Sequence, residues 1–169
     1  MEILKRYNDS RIPIAEVALH ELFLLEVFRN FLFLEEKGYT LFLSHTFFTI
    51  DSVIDVKYKS AKYRRNISVM VIVGTDSSER GTIVKLENGK SLEIPKEQWK
   101  IYIQIENLSV FSLKKRTIWL NQYVKENYPQ LVMLQEKITS NNIITVLGQC
   151  AVFIKENMMS IIEGKEWFN

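Results

Sequence analysis

His20 stands four residues after Glu16, a spacing that puts both on one face of a helix, where a carboxylate and an imidazole could share a metal ion. Such a site needs a third histidine or a cysteine pair, and the chain offers only His20, His45 and Cys150. A partly exposed histidine beside a helical carboxylate is the simpler expectation. Ser44-His45 with Asp51 or Asp55 can be drawn as a nucleophile triad. Strand alternation, however, sends adjacent Ser44 and His45 to opposite faces. Cys150 falls on an apolar helical stripe, where a thiol behaves as a small hydrophobe rather than a nucleophile. The six glycines, Gly38, Gly74, Gly81, Gly89, Gly148 and Gly164, make neither G-x-G-x-x-G nor a P-loop. Gly148 inside its helix is expected to allow close packing. Neither a catalytic, a cofactor-binding nor a metal site is therefore expected, although a pair of carboxylates brought together by folding would be invisible at this level.

Charge placement is more informative. Lys57, Lys59, Lys62, Arg64 and Arg65 lie within nine residues, interleaved with Tyr58 and Tyr63. A second cluster is Lys114-Lys115-Arg116. Basic clusters with aromatics suit an acidic protein surface or a phosphate backbone. The plainer alternative is a solvated turn and a solvated helix face. The formal charge of +2 is too near neutral to select nucleic acid by itself.

The elements that must position these residues are legible from pattern. Asp9 or Ser10 can cap a first helix with Pro13 in its opening turn, running to about Lys37 and stopped by Gly38. Its apolar residues exceed one stripe, which predicts a helix buried on most sides, as the centre of the domain or at an oligomer interface such as a homodimer. Phe23, Val27, Phe28 and Phe31 are its expected core. Leu41–Ile50 is rich in Phe, Thr and Leu. Ile54, Val56 and Tyr58 alternate with Asp55, Lys57 and Lys59, and Ile67–Val73 is apolar on both faces, the mark of a central strand. The stretch from Gly74 to Gly81 reads as a polar loop. Asn88-Gly89 signals a hairpin, and a three-residue loop would set Leu86 opposite Leu92, Val84 opposite Ile94 and Lys85 opposite Glu93. Pro95 ends that strand or marks an edge.

Trp99, Ile101, Ile103 and Ile105 alternate with polar neighbours as a half-buried strand. A helix is then expected over Ser112–Asn127, with Lys114-Lys115-Arg116 in its first turn, followed by a short helical piece over Leu131–Ile138. The last helix, capped within Thr139–Asn142, carries Ile143, Leu147, Cys150, Ile154, Met158 and Ile161 at helical spacing and closes at Gly164, with Trp167-Phe168 folding back. Helix, antiparallel strands, then helices predict an α+β fold with about five to six strands and the C-terminal helices packed on the first. With 169 residues and no repeat or linker, one domain over 1–169 is expected. No secretory signal is visible. Glu16, Glu21, Glu26 and Arg29 interrupt the most apolar stretch, so a membrane span is not expected, and the cytoplasm is the expected location with Cys150 reduced.

Three segments resemble small bacterial cytosolic proteins of the polymorphic-toxin immunity type. They are Phe31-Leu32 through Lys37-Gly38-Tyr39, Val56-Lys57-Tyr58-Lys59-Ser60, and Ile161-Ile162-Glu163-Gly164 with Trp167. The resemblance spans roughly residues 28 to 168, and the chain departs from it between about Glu93 and Glu106, where an extra alternating segment stands. It implies no catalytic residues. It implies a protein that binds and occludes a protein partner. Charge placement makes the basic clusters the candidate contact residues, a nucleic-acid-binding module using the same clusters is the alternative, and a small enzyme with a carboxylate site is the third reading.

Overall fold

The computed structural model describes residues 14–47, 52–76, 82–85, 91–94, 96–109, 117–131, 138–139 and 142–167. Helix α1 (Ile14–Glu36) is followed by strands β1 (Thr40–Phe47), β2 (Ser52–Ser60) and β3 (Arg65–Asp76). A separate two-stranded hairpin, β4 (Thr82–Lys85) and β5 (Ser91–Ile94), precedes β6 (Lys96–Asn107) and β7 (Thr117–Trp119). Helices α2 (Leu120–Asn127), α3 (Ile143–Asn157) and α4 (Met159–Ile162) complete the chain. The main sheet is antiparallel, ordered β1-β2-β3-β6-β7, so β3 is central as its two apolar faces predict. This is the expected α+β architecture.

Alternation sorts the sheet into a core face and a second face. Ile54, Val56 and Tyr58 on β2, Ile67, Val69, Val71 and Val73 on β3, and Trp99, Ile101, Ile103 and Ile105 on β6 are all buried. Against them α1 lays Phe23, Leu24, Val27, Phe31 and Leu34, and the Phe31 ring stacks 6.4 Å from that of Tyr58. Phe28 is only partly buried, because its position on α1 lies beside the buried stripe rather than within it. Helix α3 covers α1 with Ile143, Leu147, Cys150 and Ile154, and Met158 and Ile161 continue the stripe. The predicted stripe of the last helix is therefore the core face, broken only by the step between α3 and α4. Gly38 (φ +88°) ends α1 in the left-handed region that a Cβ disfavours. Gly164 (φ +73°) needs glycine twice over, since a Cβ there would also stand 3.0 Å from the Tyr63 carbonyl oxygen. A Cβ on Gly148 would meet Asn30 Oδ1 at an ordinary 3.7 Å, so the α1–α3 crossing does not require that glycine.

Several expectations are corrected. Thr117–Trp119 is a strand paired with Gln104–Glu106, so the helix expected from Ser112 begins at Leu120. Thr117, Ile118 and Trp119 are strand-favouring residues, and the open ladder of β6 beside them decides the matter. Ile138, expected to end a short helix, forms an isolated bridge with Trp99. β3 continues through Asp76, because β6 is long enough to extend the ladder to Lys96. In the hairpin Val84 pairs with Leu92 and Lys85 with Ser91, two residues away from the expected register. A slip of two keeps every side chain on its original face, so the hydrophobic pattern that excludes a slip of one cannot exclude it. Asp9, Ser10, Pro13, Leu86, Asn88, Gly89, Pro95, Leu113 and Phe168 lie outside the described residues.

Candidate partner-binding surface

The β2–β3 turn closes on the pair Ser60 and Arg65 and runs through 61–64 without glycine or proline. Arg64 supplies the left-handed residue (φ 52°) that such a tight connection needs. The buried Ser60 hydroxyl accepts from the Tyr63 amide, and the Arg64 carbonyl accepts from the Leu108 amide, which ties the turn to the end of β6. The predicted basic cluster is thereby divided three ways. Lys57 and Lys59 stand on the second face of the sheet, Lys57 3.4 Å from Asp55 and Lys59 over the Phe42 ring at 4.5 Å. Lys62 and Arg64 are exposed on the turn, Lys62 beside the Tyr63 ring, which itself tilts against Tyr39. Arg65 departs from the expectation of an exposed tip: it is 5 % exposed. Its Nε donates to the Ile161 carbonyl at 3.0 Å, its Nη1 to Asn107 Oδ1 at 2.6 Å, and its Cζ lies over the Trp167 ring, 4.7 Å from the ring centroid. The first residue of β3 points with the core-facing series of that strand, toward the returning C-terminal segment, and burial lowers its pKa. Lys114, Lys115 and Arg116 lie outside the described residues.

Beside this clamp Glu163 accepts from both Lys37 and Lys165, and those two cations hold its carboxyl down at about 2, from an ordinary 4.5. The unfolded chain therefore binds this proton first as pH falls. The contribution of Glu163 to stability is complete above about pH 4.5 and is lost on the way down to about 2. Urea midpoints measured across that window should fall less steeply in Glu163→Gln than in the parent; equal slopes would show that the pair adds nothing to folding.

Among the described residues the remaining chemical candidates are placed as follows. His20 is buried rather than partly exposed, its ring edge-on to Trp99 at 4.6 Å, because its position on α1 turns toward the sheet. Register sets Ser44 opposite Asp55 but His45 opposite Ile54, so serine and histidine alternate along β1. Asp51 lies outside the described residues. Cys150 is buried, and desolvation pushes its thiol up to about 12, which leaves it un-ionised and inert at neutral pH. Among the described residues no group of three or more His, Cys, Asp or Glu is placed to hold a metal. No helix among them is long and apolar enough to cross a membrane.

Sequence reasoning missed a groove on the second face of the sheet. On the second face of the sheet Met70 pairs with Tyr102, and Trp119, 37 % exposed, stands edge-on to Tyr102 at 6.2 Å. With Ile72 and the start of α2 (Asn121, Gln122, Lys125) they line a groove of about 650 Å³. The carbonyl oxygen Asn121 Oδ1 is buried and accepts no hydrogen bond among the described residues. The signal was present in the second apolar face of β3, which reads as burial under another layer. Here Met70 and Ile72 on that face are only half-buried. No protein-family model, curated protein or solved structure matches the chain, so the likeness to immunity proteins rests on the three short segments alone.

Proposed function

We propose that this protein acts by binding another protein rather than by catalysis, in the manner of the immunity proteins its sequence resembles, with the second face of the sheet as the contact surface. The observation that carries this reading is the aromatic pair of exposed Trp119 and half-buried Tyr102 set in a groove with Met70 and Ile72. Tyr and Trp are the residue types that dominate binding hot spots. Lys57 and Lys59 flank the same face and Lys62 and Arg64 its near corner, so an acidic partner would be steered toward it. Burial of Arg65 and the pairing of Lys57 with Asp55 thin the cationic surface that a phosphate backbone would require.

The test starts from a stoichiometric protein that co-purifies with the native chain. Trp119→Ala should weaken that complex by at least about 30-fold, the scale of an interface hot spot, with the melting temperature of the free protein unchanged. Replacing Lys59, Lys62 and Arg64 together by Glu should slow association at least tenfold at low salt. Unchanged affinity in both variants would overturn the reading. Recovery of salt-labile nucleic acid in place of a protein would move the assignment to the alternative ligand.

A further inference from the structure

Strand β1 forms one edge of the main sheet and, among the described residues, pairs only with β2. Edge strands are ordinarily guarded by charge, proline, a bulge or short length. β7 at the opposite edge is three residues long. β1 has none of these guards: Thr40–Phe47 contains no Lys, Arg, Asp, Glu or Pro, and its ladder with β2 runs through eight consecutive pairs. The core is also unfinished there. Leu41 and Leu43 remain partly exposed, although the residues they pair with, Tyr58 and Val56, are fully buried. On the other face Phe42 is 47 % exposed.

We propose that β1 is a homodimer interface, in which two copies pair their β1 strands antiparallel about a two-fold axis perpendicular to the sheet, so that one sheet runs through both. Directly opposed residues of an antiparallel ladder share a face, so the axis must pass through a residue and not between two. With the axis anywhere from Phe42 to Ser44, Leu41 and Leu43 extend the apolar layer into the second copy. With the axis on Phe42, Leu41 meets Leu43 of the other copy and Phe42 meets itself. A second copy fits this edge because two-fold symmetry sets Leu41 and Leu43 against their own counterparts on the core face, and an uncharged strand brings no like charges together when it pairs with itself. β2, by contrast, carries Asp55, Lys57 and Lys59. The pairing uses the β1 edge, whereas the groove of the partner-binding reading lies at the β6–β7 edge around Trp119; Lys59, over the Phe42 ring, stands between the two.

Sedimentation equilibrium of the full chain should give a species of twice the 19.9 kDa chain mass that dissociates on dilution. Phe42→Lys combined with Ser44→Lys, both at exposed positions, should shift the dimer to monomer by at least tenfold in dissociation constant, with unchanged circular dichroism. Should that variant fail to fold, single cysteines at 42, 43 and 44 supply a second readout. The one nearest the axis should form an intermolecular disulfide under mild oxidation, while a cysteine at Lys62 should not, and buried Cys150 does not compete. A monomer at all concentrations up to about 0.1 mM overturns the proposal. So does a dimer that survives the double-lysine change, or one that none of the three cysteines crosslinks.

Discussion

Replacing Arg65 by alanine is expected to cost about 3–5 kcal/mol of folding stability, the largest single effect of any charged residue in the described structure. Its guanidinium donates to the Ile161 carbonyl, to Asn107 Oδ1 and to the Arg64 carbonyl, joining the start of β3, the end of β6 and the segment after α3. Hydrogen bonds to a charged group contribute about 1.5–3 kcal/mol each. Each acceptor keeps a second donor, the Gly164 amide on Ile161, the Ser109 amide on Asn107 and the Leu108 amide on Arg64, so the loss is that of the charge-assisted bonds themselves. Relief of burying a cation offsets part of this sum. Arg65→Lys should recover little, since an ammonium cannot reproduce the planar fork that reaches Ile161 and Asn107 at once. Arg64→Glu, one residue away and exposed, supplies the control and should leave the urea midpoint within about 0.5 kcal/mol of the parent. A loss below about 1 kcal/mol in Arg65→Ala would mean that the C-terminal segment is not held by this side chain. A charge reversal at 64 and 65 together would thus report on folding before it reported on any partner.

Phe31→Ala should cost about 3–5 kcal/mol, whereas Phe28→Ala, one turn earlier on the same helix, should cost no more than about 2. Phe31 is fully buried between α1 and the sheet, stacked on Tyr58, and α3 packs on α1 behind it, so little can move into the void. Phe28 keeps part of its ring in water and leaves a space open to solvent. Denaturant titration of the two variants beside the parent decides the point. Equal losses at the two positions would contradict the placement of α1 against the sheet.

Much of the scaffold was readable because it is local. The over-apolar run before Gly38, the alternation of Ile54, Val56 and Tyr58, the same pattern from Trp99 to Ile105, and the stripe from Ile143 to Ile161 each encode a period within one element. A period of 2 or 3.6 needs no knowledge of the neighbours. The candidate surface was readable only in pieces. Tyr102 sat on the polar side of its strand, Met70 and Ile72 on the second face of theirs, and Trp119 inside an expected helix. Nothing short of pairing β3 with β6 and β6 with β7 brings the four together.

The amino-acid sequence by itself determined the α+β order, the central place of β3, the helix-ending role of Gly38 and the inert setting of Cys150, all consequences of side-chain period and local backbone preference. Tertiary structure alone decided three things. Thr117–Trp119 became a strand because a partner ladder was available to satisfy its amides. The β4–β5 register settled two residues away from its expected place, because an even slip is silent in the hydrophobic pattern. Arg65 parted from its basic neighbours because carbonyls distant in sequence, chiefly Ile161, converge where its guanidinium can replace water, while Lys57, Lys59, Lys62 and Arg64 meet no such cluster and keep their charges at the surface.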